Sequence, residues 1–420
     1  MRAAALGGRV CVQVVESHPD HPFPDLRILH PPPALRQLID TQYADLAALP
    51  NNVFAHTPWA VLLVKAVDTW KAANGGALPT AYKQKKEVRA LVEGMRRPGM
   101  QADQNIEEAV TACNTALNTP TPSSGVQAIL MEARAKLAAL VAEGHQAVGI
   151  GDGDAAGAAA AAAQAARKTQ LAFWLMAAAT ERFVAREGGG MLPLIGTIPD
   201  MTADTATYVN LQHLYATQAA ADVSAVQAYM REVGTTEGLS ADDLVAPEDL
   251  KRFCKNAHSL CNVTYASAAA EYLYDKDQGG GAPARCASAL AVALGAEDTA
   301  TNAGLYLLLR AALAFRAQRS CWPGDMDASV EADMPALKTC LHELTKELSL
   351  PPLANGASHV SDDLIGEFCR WGGAEMHAIS SVMGGIASQE AIKAATHQYQ
   401  PLNNTFIFNG ASGTTATLEL

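Results

Sequence analysis

Residues 375–420 read EMHAISSVMGGIASQEAIKAATHQYQPLNNTFIFNGASGTTATLEL, and two periodicities follow one another in them. Met376, Ile379, Val382, Met383 and Ile386 recur at steps of three and four, which predicts a helix with an apolar face. Ser381, Gly384, Gly385, Ser388 and Ala391 form an adjoining face with almost no side chain. A glycine inside a helix costs roughly 1 kcal/mol against alanine, so an adjacent pair belongs where another backbone comes close. That neighbour is either a strand of the same domain or a second subunit. Beyond the helix, residues 405–409 and 414–420 are rich in threonine, aromatic and aliphatic side chains and flank Gly410-Ala-Ser-Gly413, which predicts a strand, a tight loop and a strand. The last strands therefore belong to a sheet that something else must complete.

Moving outward, 420 residues with 49% hydrophobic and 18% charged composition give room for two or three packed domains. Lysine and arginine number 31 against 43 acidic residues, a formal charge of −12, and no basic run is concentrated enough to mark a nucleic-acid surface. Partners are then expected to be proteins. Eight cysteines lie scattered without a CxxC pair, which suits a reducing compartment, cytoplasm or nucleus, better than a disulfide framework. No apolar run approaches the ~20 residues that span a bilayer. The start, MRAAALGGRVCVQVV, passes directly into a β-branched strand at 10–15 without a cleavage-site pattern.

After that strand comes the proline-punctuated ESHPDHPFPDLRI, followed by Pro31-Pro32-Pro33, and proline at this density forbids a helix. Ser17, His18 and Asp20 are too close along one loop to converge as a catalytic triad. From Leu35 to about Ser358 helical periodicity dominates. Three times an apolar helix is closed by an aromatic residue, a basic turn and a proline: residues 59–70, 174–183 and 306–315. The irregular spacing favours a compact helical domain over a solenoid. In His56-Thr57-Pro58-Trp59 the order predicts Thr57 as N-cap and Pro58 as first helical residue. Residues 131–170 are dominated by alanine and glycine and read as a flexible low-complexity insert. Within it Gly149-Ile-Gly151-Asp-Gly153 lacks the preceding strand and the following acidic residue of a dinucleotide loop. Asp152 and Asp154 lack the further oxygen ligands of a calcium loop.

Residues 192–204, LPLIGTIPDMTAD, place Gly196 and Pro199 in a rigid turn. Tyr208, Leu211, Leu214, Tyr215, Val226, Tyr229, Met230 and Val233 then trace one face of a long helix. Cys254, His258 and Cys261 fall at i, i+4 and i+7, one helical face, where three zinc ligands are conceivable but no fourth is visible, so burial against a core is the expectation. Residues 278–283 and 349–358 read as linkers. No P-loop, dinucleotide fingerprint, GxSxG or HExxH motif occurs. The nearest candidate nucleophile is Cys321, between Arg319 and Trp322-Pro323, although a thioester-forming cysteine needs its pKa lowered by a cation or helix N-terminus.

GGIASQEAIKAATHQYQPLNNTFIFNG, HTPW, and GTIPDMTAD with its following YVNLQHLY together resemble the regulatory, non-catalytic subunits of the neddylation-activating enzyme, one of the enzymes that activate ubiquitin-like modifiers. The similarity runs over nearly the whole chain and is broken by the 131–170 insert. It implies an α+β, predominantly helical protein in which residues 35–358 form a large helical insertion domain. That domain would lie between residues 1–34 and residues 359–420, two pieces of an incomplete adenylation-type, Rossmann-like fold. It also implies a further nucleotide-fold segment ahead of the strand at 10–15. The resemblance implies a heterodimer whose catalytic subunit holds ATP, magnesium and the thioester cysteine, with no cofactor or metal bound by this chain itself. Contact with the catalytic subunit is implied for His56, for Asp200, Met201, Thr202, Ala203 and Asp204, for Tyr208, Leu211 and Gln212, and for the Gly384–Gly385 pair. The other readings are a helical interaction scaffold, and a thioester enzyme acting through Cys321.

Overall fold

The computed structural model describes residues 10–14, 25–98, 104–146, 154–264, 284–325, 330–351, 359–371, 374, 376–396 and 399–420. Ser17, His18, Asp20 and the glycines at 149, 151 and 153 lie outside them. The chain divides into two compact units, one from Val14 to Cys261 and the other from Asn262 onward together with the start of the chain. The division falls near residue 261, inside the stretch of helical periodicity that runs from 35 to about 358.

The expected first strand is present as β1 (Val10–Val14), which pairs with β2 (Leu260–Thr264). In the first unit, α1 (Pro33–Gln42) and α2 (Asn51–Phe54) lead to α3 (Trp59–Ala73), which is apolar on nearly all sides because it is the centre of its core. Around it pack α4 (Tyr82–Glu93) and α5 (Gln104–Ala116). Val61, Leu62, Leu63 and Val64 of α3 are wholly buried, with Val88, Ile106 and Val110 against them. The same core takes in Leu194, Met201, Leu211 and Tyr215 from much later in the chain. Next come α6 (Ser124–Gln146), α7 (Asp154–Ala185), α8 (Thr205–Thr236), α9 (Ala241–Leu244) and α10 (Pro247–Lys255). Phe173 of α7 meets Trp174 and Phe253 edge-on at centroid distances of 5.1 and 5.7 Å, joining α7 to α10.

In the second unit lie α11 (Ala284–Gly295), α12 (Ala300–Arg319), α13 (Val330–Glu347), α14 (Asp362–Trp371) and α15 (His377–Thr396). The chain closes on the predicted hairpin, β3 (Thr405–Asn409) and β4 (Thr414–Leu418), antiparallel with Thr405 opposite Leu418. Ile407, Leu418 and Leu420 are buried in one cluster with Leu307, Phe315, Leu337 and Ile365. The hairpin's inward face is covered by helices preceding residue 358, which is why the compact division falls where it does.

The three aromatic-closed segments are α3, the second half of α7, and α12, and they stop alike. Trp70, Phe183 and Phe315 are buried at 4%, 1% and 0% exposure, and each helix is followed by backbone of positive φ. Gly75 and Gly76 (63° and 84°) and Gly189 and Gly190 (56° and 88°) supply it in the first two, and Ser320 (58°) in the third. A left-handed residue folds the chain back over the last turn and satisfies otherwise orphaned carbonyls, as Gly76 N–H does for Lys71 O at 2.8 Å.

Two expectations need correction. Thr57 is not a cap: the N-cap of α3 is Pro58, and the wholly buried Thr57 hydroxyl donates to Val53 O at 3.3 Å. The insert at 131–170 is not flexible filler over its described part. Alanine is the best helix former, so the alanine run extends α7 instead of breaking it. Ala133 and Leu137 are fully buried, and Arg167 Nη2 donates to Leu140 O at 2.8 Å, tying α7 to α6. Leu137→Ala should therefore cost about 2–5 kcal/mol and lower the melting temperature by several degrees in thermal denaturation. An unchanged melting temperature would restore the reading of a dispensable insert.

Candidate functional site

The first unit carries a groove of about 670 Å³. α5 presents Gln104, Glu107, Glu108, Thr111 and Thr115 to it, spaced at i, i+3, i+4, i+7 and i+11 on one helical face. Ile195, Pro199 and Asp200 of the 192–204 segment line it as well, as do Trp59 at the start of α3 and Asp25 and Leu26 ahead of α1. The two segments HTPW and GTIPDMTAD, more than a hundred residues apart, are thus brought to one groove through Trp59, Pro199 and Asp200.

Each boundary is held by a specific polar contact. Asn105 is wholly buried at the start of α5, and its Nδ2 donates to Phe54 O at 2.7 Å and Thr57 O at 3.1 Å, which locks α5 to the turn before α3. Gly196, at φ 81°, rests on α8 so closely that a Cβ there would lie 2.7 Å from the Ala219 methyl. Leu194 N–H donates to Asp222 Oδ2 at 2.8 Å, and Arg27 Nη2 donates to Leu192 O at 2.6 Å while standing 3.5 Å from the Asp222 carboxylate. The Tyr215 hydroxyl, fully enclosed, donates to Leu26 O at 2.8 Å. Thr202 gives Glu108 both its N–H (2.8 Å) and its hydroxyl (2.6 Å). Asp25 is pushed above the usual carboxylate range by burial, against the opposing pull of hydrogen bonding and charge from Arg27. Asp222, 5% exposed, was not singled out from the sequence, although an aspartate inside the apolar stripe of α8 was the available signal.

The sequence-marked residues distribute as follows. His56 is exposed, with Nδ1 2.8 Å from Asn52 O, and does not line the groove. Asp200 and Gln212 are exposed, whereas Ala203 and Tyr208 are half-buried. Met201 and Leu211, at 7% and 0% exposure, belong to the core and shape the surface from behind. Asp204 is the N-cap of α8, accepting from Thr207 N (2.9 Å) and Oγ1 (2.6 Å), bonds that hold its carboxyl below the usual range.

In the other unit Gly384 and Gly385 are exposed, and a Cβ at either would meet nothing within 4 Å. No residue of α15 is fully buried, and Met376, Val382 and Ile392 are 65%, 43% and 53% exposed. The helix meets the hairpin region where Ile379 leans on Gly410 and where Glu390 Oε2 accepts from Leu402 N–H at 2.8 Å. The close backbone neighbour expected for the glycine pair is not supplied by the described residues.

Cys254, His258 and Cys261 do not share a helical face, because α10 ends at Lys255, a 3₁₀ turn holds His258 and β2 holds Cys261. Burial pushes the Cys254 thiol up to about 12, and among the described residues no group of three or more His, Cys, Asp or Glu side chains is placed to hold a metal. Cys321 is half-exposed, but the cations near it are engaged elsewhere. Arg316 lies over the Trp322 ring at 4.6 Å, and Arg319 lies over Phe315 at 5.0 Å and pairs with Asp333 at 3.3 Å. Cys369 is buried and its thiol is raised by desolvation. No described helix is long and apolar enough to cross a membrane.

No protein-family model matches the chain. Among curated proteins it is 36% identical to the NEDD8-activating enzyme E1 regulatory subunit of Xenopus laevis over 414 residues, 97% of this chain and 68% of that protein. The chain belongs to the family of NEDD8-activating enzyme E1 regulatory subunits. The match extends to plants: the regulatory subunit AXR1 of Arabidopsis thaliana is 32% identical over 425 residues, covering all of this chain and 70% of that one. The Drosophila melanogaster subunit is 31% identical over 97% of this chain. In each case the similarity runs over nearly the whole of this chain.

Proposed function

We propose that this chain is the non-catalytic half of a heterodimeric activating enzyme of the neddylation pathway, acting in the cytoplasm or nucleus. In this reading the catalytic subunit binds ATP and magnesium, adenylates the ubiquitin-like modifier and takes it onto its own cysteine. The present chain supplies a docking architecture. α15, β3 and β4 would be part of an adenylation-type fold, and the helical region between 35 and 358 an insertion into it. Family membership carries the reading, and the convergence of HTPW and GTIPDMTAD on one groove supports it. A preset loop loses less conformational entropy on binding than a mobile one, and this loop is preset by Gly196, Asp222 and Arg27.

Co-purification with a catalytic subunit tests the proposal. Asp200→Lys combined with His56→Ala alters two exposed side chains, so the melting temperature should hold while affinity falls about thirtyfold, the size of one interface hot spot. Asp204 is unsuitable for the test because removing an N-cap destabilises by about 1 kcal/mol by itself. Unchanged assembly of the double variant would remove this surface from the interface.

A further inference from the structure

The groove that joins the two docking segments has a chemistry of its own. Its walls are largely apolar, from Leu26, Trp59, Ile195 and Pro199, yet four carboxylates line it: Asp25, Glu107, Glu108 and Asp200. None of the described lining residues is lysine or arginine. Two of the acids are answered from behind, Glu107 by Arg96 and Asp25 by Arg27. The other two are not. Glu108 is held by the uncharged Thr202, and Asp200 makes no ion pair or hydrogen bond among the described residues. Glu108 and Asp200 therefore line the groove without a paired cation, while Lys85 reaches the lining at Asn118, 2.6 Å away, and two unpaired carboxylates attract a cation.

Apart from His258, the remaining polar lining is amide and hydroxyl. Gln104, Thr111, Asn114, Thr115 and Asn118 follow one another along α5 and the turn after it. Such side chains both donate and accept, which serves a main chain whose N–H and C=O groups are unpaired. A helix has already spent those groups internally, so the lining favours an extended occupant.

We infer that this groove takes an extended segment of the partner subunit carrying at least one lysine or arginine, with the cation beside Asp200 and Glu108 and apolar neighbours against Trp59 and Pro199. The inference rests on the heterodimer proposed above and specifies what enters the surface. A volume of about 670 Å³ is in the range of a short peptide or small-ligand site.

The test uses the full chain and two dye-labelled hexapeptides, one alternating arginine and leucine and the other alternating glutamate and leucine, read by fluorescence polarisation at two salt concentrations. The arginine peptide should bind and weaken with salt, and the glutamate peptide should not bind. Asp200→Lys, which reverses the free charge, and Thr111→Trp, which fills the groove, should each weaken the arginine peptide at least tenfold. Asp298→Lys makes the same change in net charge on an exposed residue of the other unit and should alter binding less than twofold. Melting curves select variants that remain folded. Equal binding of both peptides, no binding of either, or equal losses for Asp298→Lys and Asp200→Lys would each overturn the inference. Assembly with a catalytic subunit without arginine-peptide binding would sink this inference alone, whereas peptide binding without assembly would sink the heterodimer reading and, with it, the partner subunit as the source of the segment.

Discussion

Gly385→Leu should leave the isolated chain as stable as before, or slightly more so, while lowering its affinity for a catalytic subunit tenfold or more. The first half follows from geometry. A Cβ at Gly385 meets nothing within 4 Å and the residue is exposed, so leucine enters open space. Replacing glycine inside a helix also gains up to about 1 kcal/mol of propensity. The second half follows from the proposed assembly. Gly384, Gly385, Val382 and Ile392 leave α15 with exposed apolar and bare backbone surface, and overpacking a close helix contact costs about 1–3 kcal/mol, about five- to more than a hundredfold in affinity. Thermal denaturation of the chain alone and pull-down with the partner separate the two halves. A lower melting temperature with intact assembly would place the neighbour of α15 within this chain and refute the prediction.

Gly324→Ala should have a large effect on stability. Gly324 holds φ 80° in the turn after Trp322-Pro323, and a Cβ there would lie 1.8 Å from the Cys369 carbonyl oxygen, inside van der Waals contact with a backbone that cannot swing aside. Its N–H also donates to the buried Asp333 carboxylate at 3.0 Å, so displacing the turn breaks a bond that helps satisfy a buried charge. Backbone strain and overpacking each cost about 1–3 kcal/mol, and together about 3 kcal/mol or more. A drop of about 10 °C in the transition of the second unit is expected. Gly413 gives the control: its φ is also positive, at 67°, but its surroundings are open, so Gly413→Ala should lose only the local strain. Similar losses for the two variants would mean that the contact at Cys369 is not what Gly324 is needed for.

Local order was legible where one residue type dictates one conformation. The stripe on α8, the hairpin after α15 and the aromatic-closed helices were readable because hydrophobic period and left-handed turns are properties of short stretches. Thr57 was misread by one position because its hydroxyl found the Val53 carbonyl, a partner in the preceding turn. The insert was misread because alanine and glycine together look like low complexity, whereas a run of alanines is also good helix. Cys254, His258 and Cys261 were placed on one face by assuming a helix that stops at Lys255. The groove itself is assembled from positions between Asp25 and His258. No local pattern reports which distant segments meet, so HTPW and GTIPDMTAD could be marked singly but not joined.

The bond from Tyr215 to Leu26 spans 189 residues, and this bears on the order in which the chain can fold as it is made. The segment at 25–29 has Leu26, Ile28 and Leu29 all buried, but the surroundings that enclose it include Leu192, Leu211 and Tyr215. At about 5–20 residues per second, synthesis reaches Tyr215 roughly ten to forty seconds after Leu26. For that interval three large aliphatic side chains of the nascent chain lack part of their native cover. The window is one in which a holding chaperone could bind the emerging chain, and faster translation of the stretch before α8 would shorten it.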